Sequence, residues 1–295
     1  MAVSGPNVFI VVVSIIAPII YSGQVTFLIQ KLNELCHWKL GCNPLPSVGN
    51  VTLYYFEQRG RAEPIRLLME DNGIPYRENR YPDHTSWVSA KQSGIMTGLF
   101  TFGEVPVITT NRQRHLAQGV PILHYLGRSV GLDCDCADIG RCEMIAAGVE
   151  ELQMRKGEIE GAENFSLQRR NEYFTRVLPL WLRYFEKLIS GESFNWYFQT
   201  KYDGPYFASG RLTWLDYLVF DIIESSCDLF ELTQQQDTGT LDSDEVLDLP
   251  ESCLQLMEKF PNLGIFMSNF HMKANIARYM SSGRRIPYKL PVLVS

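Results

Sequence analysis

Strand and helix signals alternate from Val51 to Arg128 and then the strand signals stop, and this change restricts the fold more than any other feature of the chain. Val51 to Phe56 (VTLYYF) is a short β-branched and aromatic run that leaves through an Arg59-Gly60 turn. The helix that follows accommodates Pro64 because it lies in the first turn. Ile65, Leu68 and Met69 share one face of it, and Gly73 and Pro75 stop it. Tyr76 to Tyr81 reads as a second strand, so the three elements form a βαβ unit with parallel pairing. After a loop carrying Trp87 and Lys91, Val105 to Thr110 reads as a third strand and Asn111 to Gln113 as a hairpin turn. His115 to Ala117 reads as an edge strand and Pro121 to Arg128 as a helix. The order predicts a small sheet covered by helices.

Past Leu132 the apolar spacing is helical. Cys142, Ile145, Val149 and Leu152 recur at three and four residues, as do Phe174, Val177, Leu178, Trp181, Phe185 and Leu188, with Pro179 expected to kink the second helix. Thr213-Trp214-Leu215-Asp216 has the form of a capping box, with Leu212 and Tyr217 placed as a hydrophobic staple. The helix it opens, Trp214 to Ser225, is apolar on nearly all sides until Asp221 and is expected at the centre of an all-helical half. Leu254 to Phe260 and Leu263 to Met280 complete the helices. Gln234 to Asp248 holds five acidic residues and no basic one, the pattern of a solvated loop.

The first fifty residues are different in kind. Met1 to Gln30 contains no charged side chain, and Val8 to Tyr21 is almost unbroken apolar sequence. Secretory signals and spanning helices both use such runs. Pro18 and Tyr21-Ser22-Gly23 favour a short signal core, whereas extension to Ile29 gives 22 residues, enough to span. A mis-assigned start is a third reading. If residues 8–29 span, Lys31 and Lys39 follow them and the positive-inside rule leaves the body in the cytosol. That membrane-anchored arrangement is the favoured expectation, with a secretory route or a plain cytosolic protein as alternatives. Pro44, Pro46 and Gly49 form a linker. The expected divisions are therefore 1–49 for leader and linker, 50–131 for the sheet domain and 132–295 for the helical domain.

With 27 basic and 33 acidic side chains the net charge is −6, so a nucleic-acid partner is not expected. The seven cysteines are an odd number without paired CxxC knuckles and are expected as reduced thiols. Cys134, Cys136 and Cys142 lack a nearby histidine to complete a zinc site, and no metal is expected.

Several residues in the sheet half are placed for chemistry, each with a plainer role beside it. Tyr55 stands near the carboxyl end of the first strand, where open α/β sheets bind ligands, although strand tyrosines also serve packing. A phenolic hydrogen bond to a thiolate favours the charged form of a thiol whose free pKa is about 8.5. Pro106 within a strand signal marks an edge, bulge or strand start, and a cis bond there would leave the preceding backbone free to pair with a peptide. Gln118-Gly119 precedes a helix whose first N–H groups suit a carboxylate, or simply caps it. Trp87 and Lys91 could hold a second carboxylate through indole N–H and ammonium, or stand as a surface pair.

Four stretches in order, LYYFEQRGRAEPIR from Leu53, FGEVPVI from Phe102, LAQGVPILHYLGR from Leu116 and LTWLDY from Leu212, resemble the cytosolic glutathione transferases of the tyrosine type, nearest the sigma, mu and pi classes. The resemblance spans about Asn50 to Lys289. It implies a thioredoxin-like amino-terminal domain, an all-helical carboxy-terminal domain and a homodimer. It implies glutathione as co-substrate, conjugated to a small, mostly hydrophobic electrophile in detoxification.

Carried over residue by residue, Tyr55 matches the tyrosine that stabilises the glutathione thiolate. Arg61, Trp87 and Lys91 match residues near the glycyl end, and Val105 matches the backbone clamp before a cis-proline, Pro106. Gln118 and Gly119 match the pair that holds the γ-glutamyl carboxylate, Glu151 an aspartate that reaches across from the partner, and Phe102 the aromatic that plugs into the partner. Gly119 lacks the usual hydroxyl there, Glu151 lengthens the usual arm, and Glu104 puts an acid before the clamp. The wall from Met154 to Gly161 (MRKGEIEG) is polar for such an enzyme. A glutathione-dependent isomerase or peroxidase, and a glutathione-binding relative with little turnover, remain as alternatives.

Overall fold

The computed structural model describes residues 47–111, 115–160, 167–191, 205–236 and 252–289, all within one compact unit, Pro44–Ser295. The leader lies outside the described residues, as do Gly161 and the acidic run from residue 237 onward. Among the described residues no helix is long and apolar enough to cross a membrane.

Strand β1, Val51–Phe56, is central because its residues alternate. Val51, Leu53 and Tyr55 are buried in the main core, while Tyr54 and Phe56 pack on the other face against Trp87, Phe100 and Val107. Strand β2, Tyr76–Tyr81, pairs parallel to β1 after helix α1, Glu63–Asp71, as the βαβ reading requires. Strand β3, Val107–Thr110, runs antiparallel to β1, and β4, His115–Ala117, antiparallel to β3. The order β2-β1-β3-β4, with helices on the sheet, is a thioredoxin-like arrangement. Ile65, Leu68 and Met69 are buried on α1, and Gly73 ends that segment with φ of +63°.

The expected loop around Trp87 is instead helix α2, His84–Met96. Only Trp87 and Gly94 are buried on it, so it carries no apolar stripe at helical spacing. Its signal is at the start: the Asp83 carboxylate accepts from Ser86 N–H at 2.7 Å, and the Asp83 N–H donates to Ser86 Oγ, forming a capping box. Helix α3, Gly119–Ser129, begins two residues before the sequence places it.

Among the described residues every regular element after α3 is a helix: α4 Ile139–Glu160, α5 Leu167–Glu172, α6 Leu178–Ile189, α7 Trp214–Gln236, α8 Cys253–Met257, α9 Pro261–His271 and α10 Ala274–Met280. Pro179 sits in the first turn of α6, and a π-helical turn, Tyr173–Val177, joins α5 to it with helical backbone throughout. Helix α7 is longer than its apolar stretch, and Trp214 to Ile223 are buried without interruption. At its start the Asp216 carboxylate accepts from Thr213 N–H at 2.7 Å, Thr213 Oγ1 at 3.0 Å and Phe207 N–H at 3.0 Å. Lys273, in an extended conformation, divides α9 from α10. One hydrophobic core runs from β1 and α1 through α4 and α7 to α10, so the sheet and helical halves share an interior.

The cysteines correct the expectation of reduced thiols. Cys134, after α3, is disulfide-bonded to Cys142 in the first turn of α4, and Cys227 on α7 is bonded to Cys253 at the start of α8. Cys136 is likewise disulfide-bonded. The pairs are separated by 8 and 26 residues, and the longer one is brought together by helix packing, which no local motif records.

Candidate functional site

Tyr55 ends the buried face of β1, and the chain turns directly beneath its hydroxyl. The phenolic oxygen accepts a hydrogen bond from Arg61 N–H at 2.9 Å. Gly60, with φ of +42°, makes that approach possible: a Cβ there would stand 2.5 Å from the phenolic oxygen. Burial pushes the Tyr55 pKa up, moderated by the Arg61 N–H and by the Arg66 and Arg61 guanidinium charges. The group is therefore a neutral phenol at neutral pH. Its oxygen is engaged as an acceptor and its O–H is the group it has to offer a ligand.

The turn is held from behind by Arg66, which sequence reasoning passed over. Its guanidinium is fully buried and donates to the Gln58 and Arg59 carbonyls, each at 3.2 Å. It is neutralised by Glu63 at 3.1 Å and by Glu78 of β2 at 3.0 Å. The Glu63–Arg66 spacing was visible as an i, i+3 pair, but its burial depends on Glu78 and on Arg285, which meets Glu63 at 3.1 Å from near the end of the chain.

The same turn links Tyr55 to the start of α3. A Cβ at Gly119 would lie 3.3 Å from the Arg61 carbonyl oxygen and 4.0 Å from Pro106 Cγ. Gln118 caps α3 with φ of +76°, and its N–H donates to the Pro106 carbonyl at 3.2 Å. The Val105-Pro106 peptide is cis, and Val105 stands outside the β3 ladder, which begins at Val107 rather than at Val105. Tyr55, Arg61, Pro106, Gln118 and Gly119 are thus linked by one chain of contacts through the Gly60-Arg61 turn, bringing together a phenol, a peptide edge and a helix amino terminus, with the Tyr55 and Pro106 side chains buried.

Other candidates lie farther out. Trp87 packs edge-on to Phe56 and against Tyr81 and Phe100, and Lys91 Nζ is 5.8 Å from the centre of its ring. Glu104 meets Lys91 at 3.8 Å, so the acid before the clamp faces a cation. Exposed pairs of this kind contribute little and exchange readily with a ligand carboxylate. The Arg61 side chain pairs with Glu150 of α4, a partner that sequence reasoning missed. Glu151 pairs with Arg155 at 2.7 Å on the exposed side of α4. It borders a groove of about 640 Å³ that Leu180, Trp181 and Tyr184 also line. Phe102 projects from the loop before β3, 66% exposed.

Beside the Gln58-Arg59-Gly60 turn, facing α4 and α7, lies a space of only about 20 Å³, the scale of a single water. Its walls are polar. Lys156 donates to Ser225 Oγ at 2.7 Å and pairs with Glu160 at 3.3 Å, and the Tyr288 hydroxyl also donates to Glu160. Burial, reinforced by Glu63, pushes Asp221 up to about 8. Met154, from the polar stretch read in the sequence, points outward instead, whereas Lys156 and Glu160 form the wall.

Residues 158–283 match the family model described as glutathione S-transferase, C-terminal domain. The chain is 27% identical over 237 residues to glutathione S-transferase P 1 of Xenopus laevis, covering 79% of this chain and 92% of that one. Against glutathione S-transferase Mu 6 of Mus musculus it is 25% identical, with 80% and 93% covered. Over about four fifths of its length the chain is thus similar to glutathione S-transferases of the P and Mu kinds. A solved pi-class glutathione S-transferase of Onchocerca volvulus shares the fold of this chain, with a TM-score of 0.58, 21% identity, and 78% and 91% of the two chains covered. The carboxy-terminal match begins within α4, at the wall of the small polar space.

Proposed function

We propose that this chain is a glutathione S-transferase that lays glutathione along the stretch from Pro106 to Gly119, with Tyr55 donating its hydrogen bond to the thiolate. The thiolate then attacks an electrophilic carbon held on the α4 and α7 side. The observation that carries this reading is the buried, neutral phenol of Tyr55 already accepting from Arg61 N–H. A phenol polarised in this way is a stronger donor. In the same reading the Val105 backbone pairs with the peptide, and Gln118 with the first N–H groups of α3 takes the γ-glutamyl carboxylate. Trp87, Lys91 and Arg61 take the glycyl end. Fixing thiolate and electrophile in one geometry supplies a large share of the rate. Retention on immobilised glutathione, with turnover of an aryl halide, tests the reading. A chain that neither binds nor turns over contradicts it.

The small, charged space beside Arg59 favours a second reading within the same thiolate chemistry, in which glutathione reduces a peroxide or assists an isomerisation of a compact polar substrate. Apolar detoxification substrates would have to displace Tyr288 from its bond to Glu160. A higher rate with a small hydroperoxide than with an aryl halide would select this second reading.

At Gly119 the missing hydroxyl can be put back. A serine hydroxyl bonded to a carboxylate contributes about 1.5 to 3 kcal/mol, and the 3.3 Å approach of a Cβ to the Arg61 carbonyl returns part of that. Gly119→Ser is expected to tighten glutathione binding about tenfold by calorimetry. Unchanged or weaker binding would remove Gly119 from the carboxylate site.

The exposed Phe102 and Glu151, with the groove lined by Trp181 and Tyr184, are the surfaces expected to meet in a homodimer. There Phe102 would enter the partner, and Glu151 would reach glutathione in the partner's site. Phe102→Ser is expected to shift the protein to monomers in analytical ultracentrifugation. A dimer of unchanged stability would place the interface elsewhere.

A further inference from the structure

We propose that Asn50 is an N-glycosylation site and that the body of this chain folds in an oxidising, secretory compartment rather than the cytosol. Three observations independent of glutathione chemistry meet here. The first is Asn50-Val51-Thr52, an N-x-T acceptor sequence with an unobstructive middle residue.

The second is its place in the fold. Asn50 is exposed in the bend just before β1, after Gly49 with φ of +66°, while the next residue, Val51, is fully buried. A glycan on Asn50 therefore projects into solvent, and the core begins one residue later. Thr52 lies on the opposite face of β1 from Val51 and Leu53, with its hydroxyl accepting from Arg77 Nε at 3.1 Å at the surface. Modification of the unfolded chain during translocation leaves this packing intact.

The third is the redox state of the cysteines. Cys134–Cys142 and Cys227–Cys253 are bonded pairs, and Cys136 is bonded as well, so all five cysteines among the described residues are oxidised. Thiols of cytosolic proteins are kept reduced, and disulfides that tie helices together persist in secreted or lumenal proteins. The apolar run Val8 to Tyr21 at the amino end has the length of the h-region that a chain entering that route uses. An orientation that left the body cytosolic would satisfy Lys31 and Lys39 but would leave these disulfides in a reducing compartment.

In the reaction, Asn50 Nδ2 forms a bond to the anomeric carbon of a lipid-pyrophosphate-linked oligosaccharide. The pyrophosphate leaves with the electron pair of the broken C–O bond, and an amide proton is lost to base.

The full chain, expressed in a glycosylating eukaryotic cell, is expected to show a single step in gel mobility after peptide-N-glycosidase treatment, with conversion of Asn50 to aspartate in the peptide map. The step is expected to disappear in Asn50→Gln and in Thr52→Ala and to persist in Thr52→Ser, which keeps the hydroxyl. The peptide map of the unmutated chain decides the site even if a variant fails to fold. Cys227 and Cys253 are expected to resist alkylation until reduced. A chain insensitive to the glycosidase, or one modified only at the second acceptor sequence, Asn164-Phe165-Ser166, would overturn the assignment of Asn50. Free thiols at Cys227 and Cys253 in the native protein would overturn the compartment.

Discussion

Replacing Tyr55 by phenylalanine is expected to slow glutathione conjugation at pH 7 while weakening glutathione affinity only about fourfold, as the linked thiol ionisation requires, and leaving the fold nearly unchanged. A shift of about two units in the thiol pKa, about 2.7 kcal/mol, lies within reach of one charge-assisted hydrogen bond supported by nearby positive dipoles. Losing it would reduce the thiolate share at pH 7 from about three quarters to about 3%. That is roughly a 25-fold loss. The remaining thiolate is more basic and attacks faster, with a Brønsted coefficient of about 0.4 to 0.5, which offsets part of it. The signature is therefore the pH profile. The deficit of Tyr55→Phe should be largest below pH 7 and should close above about pH 9, where both proteins hold thiolate. A deficit independent of pH would mean that Tyr55 positions substrate and does not tune the thiol.

The second large effect belongs to Arg66. Arg66→Met leaves Glu63 and Glu78 buried without their shared cation and leaves the Gln58 and Arg59 carbonyls without their donor. Removing one member of a buried ion cluster costs about 3 to 5 kcal/mol, a large part of the roughly 5 to 15 kcal/mol that holds a domain together. Arg285 still reaches Glu63, which places the cost toward the lower end. The same change loosens the turn that presents Arg61 N–H to Tyr55, so the pH profile of any folded fraction should move toward that of Tyr55→Phe. Arg66→Lys is expected to recover part of the stability and little of the turn, because a lysine cannot serve two carboxylates and two carbonyls with a planar fork. Urea unfolding and a pH–rate profile on the same preparations separate the two consequences. An Arg66→Met protein as stable as the parent would show that the buried cluster contributes nothing.

What could be read in advance divides along a physical line. Alternation in Val51 to Phe56, the Pro64 and Gly73 punctuation of α1 and the Thr213 to Asp216 cap are local, and each specifies its element through its own residues. Helix α2 is not legible in the apolar pattern because its one large buried anchor, Trp87, makes no stripe, which leaves the Asp83-Ser86 cap as its only local signal. The π-helical turn before Pro179 and the Cys227–Cys253 disulfide depend on how helices pack, and no spacing announces either.

The site divides in the same way. Tyr55, Pro106, Gln118 and Gly119 stand out because strand ends, a proline in a strand signal and a helix start are local landmarks. Arg66, Glu150 and the polar wall of Lys156, Glu160 and Asp221 do not, because their meaning comes from partners between roughly ten and two hundred residues away in the chain, brought close only by folding.

The central claim is that the Tyr55 phenol, and not the surrounding positive charge alone, ionises bound glutathione. Thiolate absorbance in the ultraviolet, followed against pH for glutathione bound to the parent protein and to Tyr55→Phe, tests it most directly. The account predicts a bound-thiol pKa about two units below the free value of about 8.5 in the parent, returning close to that value in the variant. Equal thiolate titrations in the two proteins would contradict it.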